Sequence, residues 1–393
     1  MNFHRDIYSE LDTRLSQGSK LIQVIVGPRQ VGKTTLVKQL FQSKLRLGVY
    51  HTADAILSNG AQWLESIYNE AQLMQKQSDL PVVLAIDEIQ KIFNWSEIIK
   101  KLVDQDKFND DQSIQLILLG SSHWLLQKGL SESLAGRFEQ WNLRHWTYQE
   151  LKTAFNLTPE EYVFFGAYPG TFEFYHDEDR WRSYVRNALI ETVITKDVLL
   201  MHRIEKPALL RSLFELGIQY SGQILSYTQV LGQMQEAKNT TTLSHYLDLL
   251  QQAGLLCGLQ KFAIDKARQR SSSPKWQVMN NALVSSLGVE TFSEAQINLK
   301  SWGRKVESAI GAHLLSYQKE DLKLFYWNES NAEVDFVIQW KDKYVGLEVK
   351  ISKDKVSGLH RFANQFKPYK IYQLSEEGLS WQKLIGMDPR ELF

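Results

Sequence analysis

The sequence of 393 residues has one cysteine, no apolar run of membrane-spanning length and no net charge. The single cysteine, Cys257, excludes an internal disulfide and favours a reducing compartment. Without a long apolar run, at its start or elsewhere, the chain is expected to be cytoplasmic, with no secretory signal and no membrane partner. Because 45 lysines and arginines balance 45 aspartates and glutamates, the whole chain lacks the basic signature of nucleic-acid binding. Any such surface is expected to be local.

A phosphate-binding loop is the strongest motif in the chain. The stretch 27–35 has the spacing G-x-x-x-x-G-K-[ST]. The apolar run 21–26 before it predicts a buried strand, and apolar residues at helical spacing after it predict a helix. A strand, a glycine loop and a helix in this order direct backbone N–H groups and a helix N-terminus at a phosphate. We therefore predict ATP binding, with Lys33 also acting in catalysis. The residues expected to hold the nucleotide are Gly27, Pro28, Arg29, Gln30, Val31, Gly32, Lys33, Thr34 and Thr35.

A second motif, at 81–88, is an apolar run that ends in Asp87 and Glu88. A strand buried on both faces would deliver Asp87 to the carboxyl edge of a parallel sheet, where ligands bind. Asp87 is expected to hold Mg²⁺ through its water shell, together with the Thr34 hydroxyl. Glu88 is placed to polarise a water for attack on the γ-phosphate. The alternative is a strand that merely ends in exposed acids, which the phosphate loop upstream makes the weaker interpretation.

Two further positions have open alternatives. Ser121 or Ser122, after the apolar run 114–119, is expected to sense the γ-phosphate or hold the attacking water, although serines also end strands as turn residues. Arg137, beside Gly136, is a candidate arginine finger that one subunit supplies to the next. A surface or salt-bridging arginine is the alternative for Arg137.

The chain resembles a family of prokaryotic AAA-type ATPases that carry a C-terminal domain of unknown function. The resemblance covers nearly the whole chain and rests on the segments GPRQVGKTTL, LAIDEIQ, LLGSS, SLAGRFE and GAYPG. It implies a homo-oligomer and places Arg137 at the family's GR element, which favours the finger role. The family's Gly-Gly-Tyr-Pro is Gly-Ala-Tyr-Pro here. Tyr168 and Pro169 of this element are expected to line the adenine side, with a tight aromatic turn as the equal alternative.

In the middle of the chain, the spacing of apolar residues predicts helices and then a winged helix. Helical spacing over 181–216 suits a lid or connector without visible chemistry. Two helices follow, capped by Ser226 and by Thr240 or Thr241, and a strand-like segment follows them. The second helix carries no lysine or arginine on its exposed face, so it is a poor reader of bases. A basic loop after it is expected either to meet phosphates or to be simply solvated. Its basic residues are Lys261, Lys266, Arg268, Arg270 and Lys275.

Two C-terminal strands, 333–340 and 344–351, are expected to form a hairpin around Lys341-Asp342. If Trp340 pairs with Lys343, Asp335 lies opposite Glu348, close enough for the two carboxylates to bind one divalent metal.

These acids, with Lys350 two residues after Glu348 and Glu307 on a preceding helix, match the arrangement of a PD-(D/E)XK nuclease core. Asp335 and Glu348 would hold Mg²⁺, and Lys350 would steady the developing phosphate charge. Charges that simply face water are the alternative. The family resemblance supports the nuclease-type fold, but domains of this fold can also bind without cutting. A local surplus of basic residues favours DNA or RNA as a partner. These residues are Lys341, Lys343, Lys353, Lys355, Arg361, Lys367 and Lys370.

The chain as a whole is predicted to be an α/β protein of roughly two to four domains. The expected parts are a P-loop AAA-type ATPase core with a parallel sheet (1–160), a helical connector (161–215), a winged helix (216–290) and a PD-(D/E)XK nuclease-like α/β domain (291–393). We expect ATP hydrolysis to control a nucleic-acid-directed, nuclease-like domain. The alternative is a nucleotide-switched signalling or assembly protein whose nuclease-like domain binds a partner and cuts nothing. A metabolic kinase is weaker, because no segment resembles a small-molecule acceptor site.

Overall fold

The computed structural model describes residues 3–56, 58–108, 114–121, 130, 133–199, 204–234, 239–265, 269, 272–319, 321–330, 332–349, 357–375 and 378–393. The chain divides into two compact units, Met1–Arg144 and His145–Phe393. None of the helices in these described ranges combines the length and apolarity that crossing a membrane requires.

The first unit is built on a parallel sheet. Its strands are β1 (Ile22–Val26), β2 (Leu47–Thr52), β3 (Val82–Asp87), β4 (Gln115–Gly120) and β5 (Phe138–Asn142). Among the described residues the sheet has five strands in the order β2-β3-β4-β1-β5, and every neighbouring pair is parallel. The helices of this unit whose bounds the structure describes are α1 (Tyr8–Ser16), α2 (Lys33–Phe41), α3 (Gly60–Lys76) and α4 (Trp95–Phe108), with a 3₁₀ turn at Ile89–Lys91. The predicted parallel α/β sheet is confirmed.

Both faces of this sheet are covered, which explains its continuous apolar strands. On β3, Leu84 and Ile86 pack into one core with residues of α3 and α4, such as Ile67. The alternate residues Val83 and Ala85 pack into a second core with α1 and α2. Side chains of a strand alternate between the faces, so a strand with two covered faces must be apolar throughout.

The described part of the second unit combines helices with two small sheets. Its helices are α5 (Tyr148–Phe155), α6 (Pro159–Phe165), α7 (Glu178–Tyr184), α8 (Pro207–Gln219), α9 (Tyr227–Gln233), α10 (Thr240–Gln252), α11 (Ala282–Leu287), α12 (Phe292–Ile297), α13 (Leu299–Ser316), α14 (Ser357–Phe366) and α15 (Trp381–Ile385). Two π-helical segments follow α7, at Val185–Ile190 and Val193–Leu199, and 3₁₀ turns lie at Pro169–Thr171 and Pro389–Leu392. The strands are β6 (Leu256–Leu259), β7 (Lys275–Val278), β8 (Leu322–Glu329), β9 (Ala332–Trp340), β10 (Lys343–Glu348) and β11 (Lys370–Gln373).

Strands β6 and β7 form an antiparallel pair, which we call the hairpin. In the described part of the C-terminal segment, the order of the second sheet is β11-β10-β9-β8. The pairs β8–β9 and β9–β10 are antiparallel, whereas β10 and β11 are parallel. The register Trp340↔Lys343 is confirmed, and it continues to Phe336↔Leu347.

The two helix starts predicted in the middle of the chain have different outcomes. Ser226 caps α9 through a capping box with Gln229, as predicted. The prediction of Thr240 or Thr241 as the cap of α10 is wrong, because Asn239 precedes them and its side chain accepts the N–H of Thr241 at 2.8 Å. An asparagine is as good a cap as a threonine, so residue type alone could not choose between neighbours.

Candidate functional site

The predicted phosphate loop lies at the carboxyl edge of the parallel sheet, between the end of β1 and the start of α2. Gln30 (φ 62°) and Gly32 (φ 93°) adopt left-handed backbone, which lets successive N–H groups converge on an anion. Gly27 has no room for a side chain, since a Cβ there would lie 1.9 Å from the carbonyl oxygen of Leu143. The Lys33 ammonium donates to the carbonyl oxygens of Gly27 and Pro28, both at 2.8 Å. The lysine therefore lies within the loop that is predicted to hold the phosphates.

Asp87 lies beside this loop, at the end of β3. Its Oδ2 atom accepts hydrogen bonds from Thr34 Oγ1 at 2.9 Å and from the Tyr50 hydroxyl at 2.6 Å, and its Oδ1 accepts the N–H of Glu88 at 2.9 Å. Thr34 and Asp87, the predicted Mg²⁺ ligands, are thus together. A hydroxyl and one carboxylate fit Mg²⁺, which keeps several waters and takes its remaining oxygens from the phosphates. No cluster of three or more Asp, Glu, His or Cys suited to a metal occurs among the described residues.

Tyr50 is a site residue that the sequence did not indicate. It lies on β2, next to β3, where the register aligns Thr52 with Asp87. Burial, and then the hydrogen bond to Asp87, raise the pKa of the Tyr50 phenol, so that it remains a protonated donor. A tyrosine near the carboxyl end of the neighbouring strand was the available signal, but strand order was needed to use it.

We expect Tyr50→Phe to raise the Mg²⁺ concentration needed for half-maximal ATP turnover by about 10- to 100-fold, because it removes an outer hydrogen bond to a metal ligand. The measurement is phosphate release over a Mg²⁺ titration. Tyr68→Phe is the matched control: it removes a buried phenol that donates to Asp106 in the same unit. An equal shift in both variants would show a general loss of packing instead.

Glu88 is held by residues from neighbouring elements. Its side chain is buried, and its backbone is left-handed (φ 53°), a conformation that is uncommon for non-glycine residues. Oε2 of Glu88 accepts hydrogen bonds from Gln90 Nε2 at 2.5 Å and from Ser121 Oγ at 3.3 Å, and Oε1 lies 3.7 Å from Arg29 Nη2. The structure therefore brings Arg29, Glu88 and Ser121 together beside Asp87. Their catalytic roles stay predictions.

Arg137 lies at the amino ends of the strands, opposite the carboxyl edge where the phosphate loop lies. Its carbonyl accepts the N–H of Ile22, the first residue of β1, whereas the phosphate loop follows the last residue, Val26. At about 3.3 Å per residue, those ends of β1 are about 13 Å apart. The guanidinium is paired with Asp104, with Nε–Oδ1 at 3.1 Å and Nη2–Oδ2 at 3.2 Å. A finger role would consequently have to act on the nucleotide of another subunit.

Tyr168 and Pro169 belong to the second unit. Tyr168 is buried, and its ring stands edge-to-face against His145 with the ring centres 5.4 Å apart. Its carbonyl accepts hydrogen bonds from the backbone and the hydroxyl of Thr171, and Pro169 begins the 3₁₀ turn. This is the geometry of a tight aromatic turn. The adenine role stays a prediction.

Three acids predicted for the nuclease core converge in the second unit, together with a fourth that was not predicted. Glu307 comes from α13, Asp335 from β9 and Glu348 from the end of β10, and Glu333 joins them from β9. The β9–β10 register ends at Phe336↔Leu347, and Asp335 and Glu348 are the next residue on each strand. Their pairing stays a prediction. Several predicted basic or polar residues lie outside the described residues, namely Ser122, Lys266, Arg268, Arg270, Lys350, Lys353 and Lys355.

A lysine lies among three of these acids, Glu307, Glu333 and Asp335. Lys275 is 0% exposed, and its Nζ lies 2.8 Å from Glu307 Oε1, 3.3 Å from Asp335 Oδ1 and 3.5 Å from Glu333 Oε1. The prediction of Lys275 as part of a solvated basic loop is wrong, since it begins β7 and points into the protein. Burial lowers its pKa, but the carboxylates outweigh this effect, and the net shift is upward, so the ammonium stays charged.

Three segments of the chain match known family models. Residues 19–152 match the AAA domain family. Residues 157–294 match a domain of unknown function (DUF8612), and residues 302–381 match another (DUF4143). No curated protein sequence matches the chain.

Several solved structures are similar at low sequence identity. The Walker-type ATPase PABY2304 of Pyrococcus abyssi has a TM-score of 0.47 and 15% identity, covering 73% of this chain and 96% of that one. AMPPCP-bound DnaA from Aquifex aeolicus has a TM-score of 0.32 and 17% identity, covering 64% and 90%. The Aeropyrum pernix ORC1 protein in complex with DNA has a TM-score of 0.31 and 11% identity, covering 69% and 87%.

Proposed function

We propose that this chain, whose residues 19–152 form an AAA-type P-loop domain, hydrolyses ATP and uses the nucleotide cycle to control its C-terminal unit. One observation carries the proposal: Thr34 and Asp87 are joined by a 2.9 Å hydrogen bond beside the phosphate loop, and Glu88 follows directly. P-loop NTPases hold their metal with a loop hydroxyl and an acid, and a further polar residue orients the attacking water. These residues supply all three at one edge of the sheet.

The roles follow from this placement. The loop N–H groups and Lys33 bind the phosphates, for which Lys33 must exchange its bonds to the carbonyls of Gly27 and Pro28. Mg²⁺, held by Thr34 and Asp87, neutralises charge on the phosphates when it is bound. Glu88 orients the attacking water and takes its proton, and Ser121 holds Glu88 in position.

Assembly completes the site in this proposal. Arg137 of one subunit reaches the nucleotide of the next, where its guanidinium stabilises charge on the transferring phosphate. Its position at the far edge of the sheet supports a role in trans, and its partner Asp104 holds it until a neighbour docks. A homo-oligomer is therefore part of the proposal.

The output lies in the second unit. The order α9, α10, β6, β7 supports a winged helix at 216–290. The order α13, β8, β9, β10, α14, β11, with β10 and β11 parallel, supports a nuclease-like domain at 291–393. Exposed lysines at the β9–β10 turn, Lys341 and Lys343, with Lys370 on β11, favour DNA or RNA as its partner.

A second candidate is a nucleotide-switched signalling or assembly protein that cuts nothing. The Lys275 ammonium among Glu307, Glu333 and Asp335 favours this candidate, because Asp335, one of the two acids expected to hold a metal, already faces a cation.

The test is phosphate release from ATP by the whole chain, with Mg²⁺ or with EDTA, and with or without DNA, alongside a mass measurement in ATP and in ADP. We expect Mg²⁺-dependent release and a larger assembly in ATP. A chain that binds ATP but releases no phosphate under any of these conditions would contradict hydrolysis. Supercoiled plasmid and RNA, incubated with Mg²⁺ or Mn²⁺, separate the two candidates: substrates that stay intact support the second.

A further inference from the structure

We propose that Lys275 is a built-in cation that stands where a nuclease-type domain would hold its divalent metal, so that the acidic cluster of the second unit works without a metal. The cluster comprises Glu307, Glu333 and Asp335. The Lys275 ammonium lies within 2.8–3.5 Å of one carboxylate oxygen from each of these residues. The proposal concerns this cluster alone and does not depend on ATP hydrolysis.

The two cations exclude each other. Mg²⁺ binds oxygens at about 2.0–2.1 Å, so it would occupy the space between the same oxygens that surround the ammonium. A dication and an ammonium within a few ångströms of each other, inside a protein, repel strongly. The residues as they stand therefore do not fit the metal that the nuclease-type resemblance implies.

The oxygens of Asp335 are already used. Oδ1 of Asp335 faces Lys275 at 3.3 Å, and Oδ2 accepts the N–H of Val349 at 2.7 Å. The ammonium also donates to the backbone carbonyl of Asp335 at 3.3 Å and lies 5.0 Å from the centre of the Phe336 ring. Five groups thus surround this one ammonium: three carboxylates, a carbonyl and an aromatic face. Such a shell suits a compact monovalent cation with three donors.

The hairpin that carries Lys275 is built into the second unit. Trp276 is buried and donates its indole N–H to the carbonyl of Leu225 at 2.8 Å, while Gln277 donates to the carbonyl of Ser308 on α13 at 2.8 Å.

Beyond β6, Phe262 packs into the core of the C-terminal sheet with Phe325, Trp327 and Phe362. Its N–H also bonds the carbonyl of Tyr326 on β8 at 2.6 Å. Contacts on β7 and just beyond β6 therefore hold the hairpin that carries the lysine, and Lys275 forms a fixed part of the cluster.

The test is Mn²⁺ binding to the whole chain without nucleotide, followed by electron paramagnetic resonance. The starting protein carries Asp87→Ala, which removes the predicted metal ligand of the first unit. We expect Asp335→Asn to leave the Mn²⁺ uptake of this protein unchanged. Adding Lys275→Ala should create one Mn²⁺ site per chain, and Mn²⁺ should then raise the melting temperature of that variant only. Lys323→Ala, an exposed lysine on β8, is the matched control and should create no site.

Two outcomes would overturn the proposal. The first is a Mn²⁺ site in the Asp87→Ala protein that Asp335→Asn removes, because the native lysine would then coexist with the metal. The second is a folded Lys275→Ala variant that still takes up no Mn²⁺. The comparison of the Asp87→Ala protein with and without Asp335→Asn keeps Lys275 in place. It therefore decides the question even where Lys275→Ala does not fold.

Discussion

Replacing Glu88 by glutamine is expected to lower ATP turnover by about 10²- to 10⁴-fold while leaving ATP binding intact. The amide keeps the size of the side chain and an oxygen that can accept the hydrogen bond from Ser121, but it cannot take the proton of the attacking water. The phosphate loop is untouched by this change. Single-turnover phosphate release measures the chemical step, and equilibrium binding of ATP to the same variant measures the affinity.

Glu97→Gln is the matched control for this experiment. Glu97 is an exposed acid in the first turn of α4, in the same unit, and the same substitution there should leave turnover unchanged. If Glu88→Gln turned over ATP at the wild-type rate, Glu88 would be only a structural partner of Gln90 and Arg29. Weakened ATP binding would instead indicate that the substitution distorts the loop through Arg29.

Arg137→Ala is expected to reduce turnover by on the order of 10³-fold without weakening ATP binding, because an arginine finger acts on charge that develops only in the transition state. The alternative is a structural salt bridge with Asp104. Both side chains are about one-third exposed, at 32% and 39%, and a pair so accessible to water typically contributes no more than about 1 kcal/mol. A large loss of turnover would therefore exceed what the salt bridge can explain.

Asp104→Ala separates the two roles, because it breaks the salt bridge and leaves the arginine in place. We expect Asp104→Ala to keep most of the turnover. Equal losses in both variants would assign Arg137 to the salt bridge.

Mixing two inactive proteins tests the role in trans. In an oligomer that combines Arg137→Ala with Glu88→Gln subunits, an Arg137→Ala subunit keeps Glu88 and can receive an arginine from its neighbour. Mixing should restore part of the turnover, with release per chain rising as the protein concentration rises. A mixture as inactive as its components would rule out the finger.

Much of the fold could be predicted because its signals are local. The phosphate loop has fixed spacing, and strands β1, β3 and β4 are continuous apolar runs because both faces of the sheet are covered. The register of β9 and β10 followed from the two-residue turn at Lys341-Asp342, since loop length fixes which residues pair. Continued by one residue, this register predicts that Asp335 lies opposite Glu348.

The residues that the sequence did not reveal depend on contacts between distant segments. Tyr50 reaches Asp87 only because β2 lies beside β3 in the sheet. Lys275 was assigned to a solvated loop because lysines are rarely buried, and its three partners lie 32 to 60 residues further along the chain. Local composition contains no information about such partners. The cap of α10 could not be predicted for a local reason. Asn239 and the threonines that follow it are all residue types that suit a helix N-cap.

The hairpin has a consequence for how this protein can be divided or recombined. Cutting the chain at the predicted boundary of 290/291 would leave Glu307, Glu333 and Asp335 together without Lys275, and would remove Phe262 from the aromatic core. Removing one partner of a buried ion pair typically costs about 3–5 kcal/mol, a large part of the stability of an ordinary domain. A C-terminal segment exchanged by gene fusion must therefore bring its hairpin with it, and the two stretches are expected to be inherited as one piece.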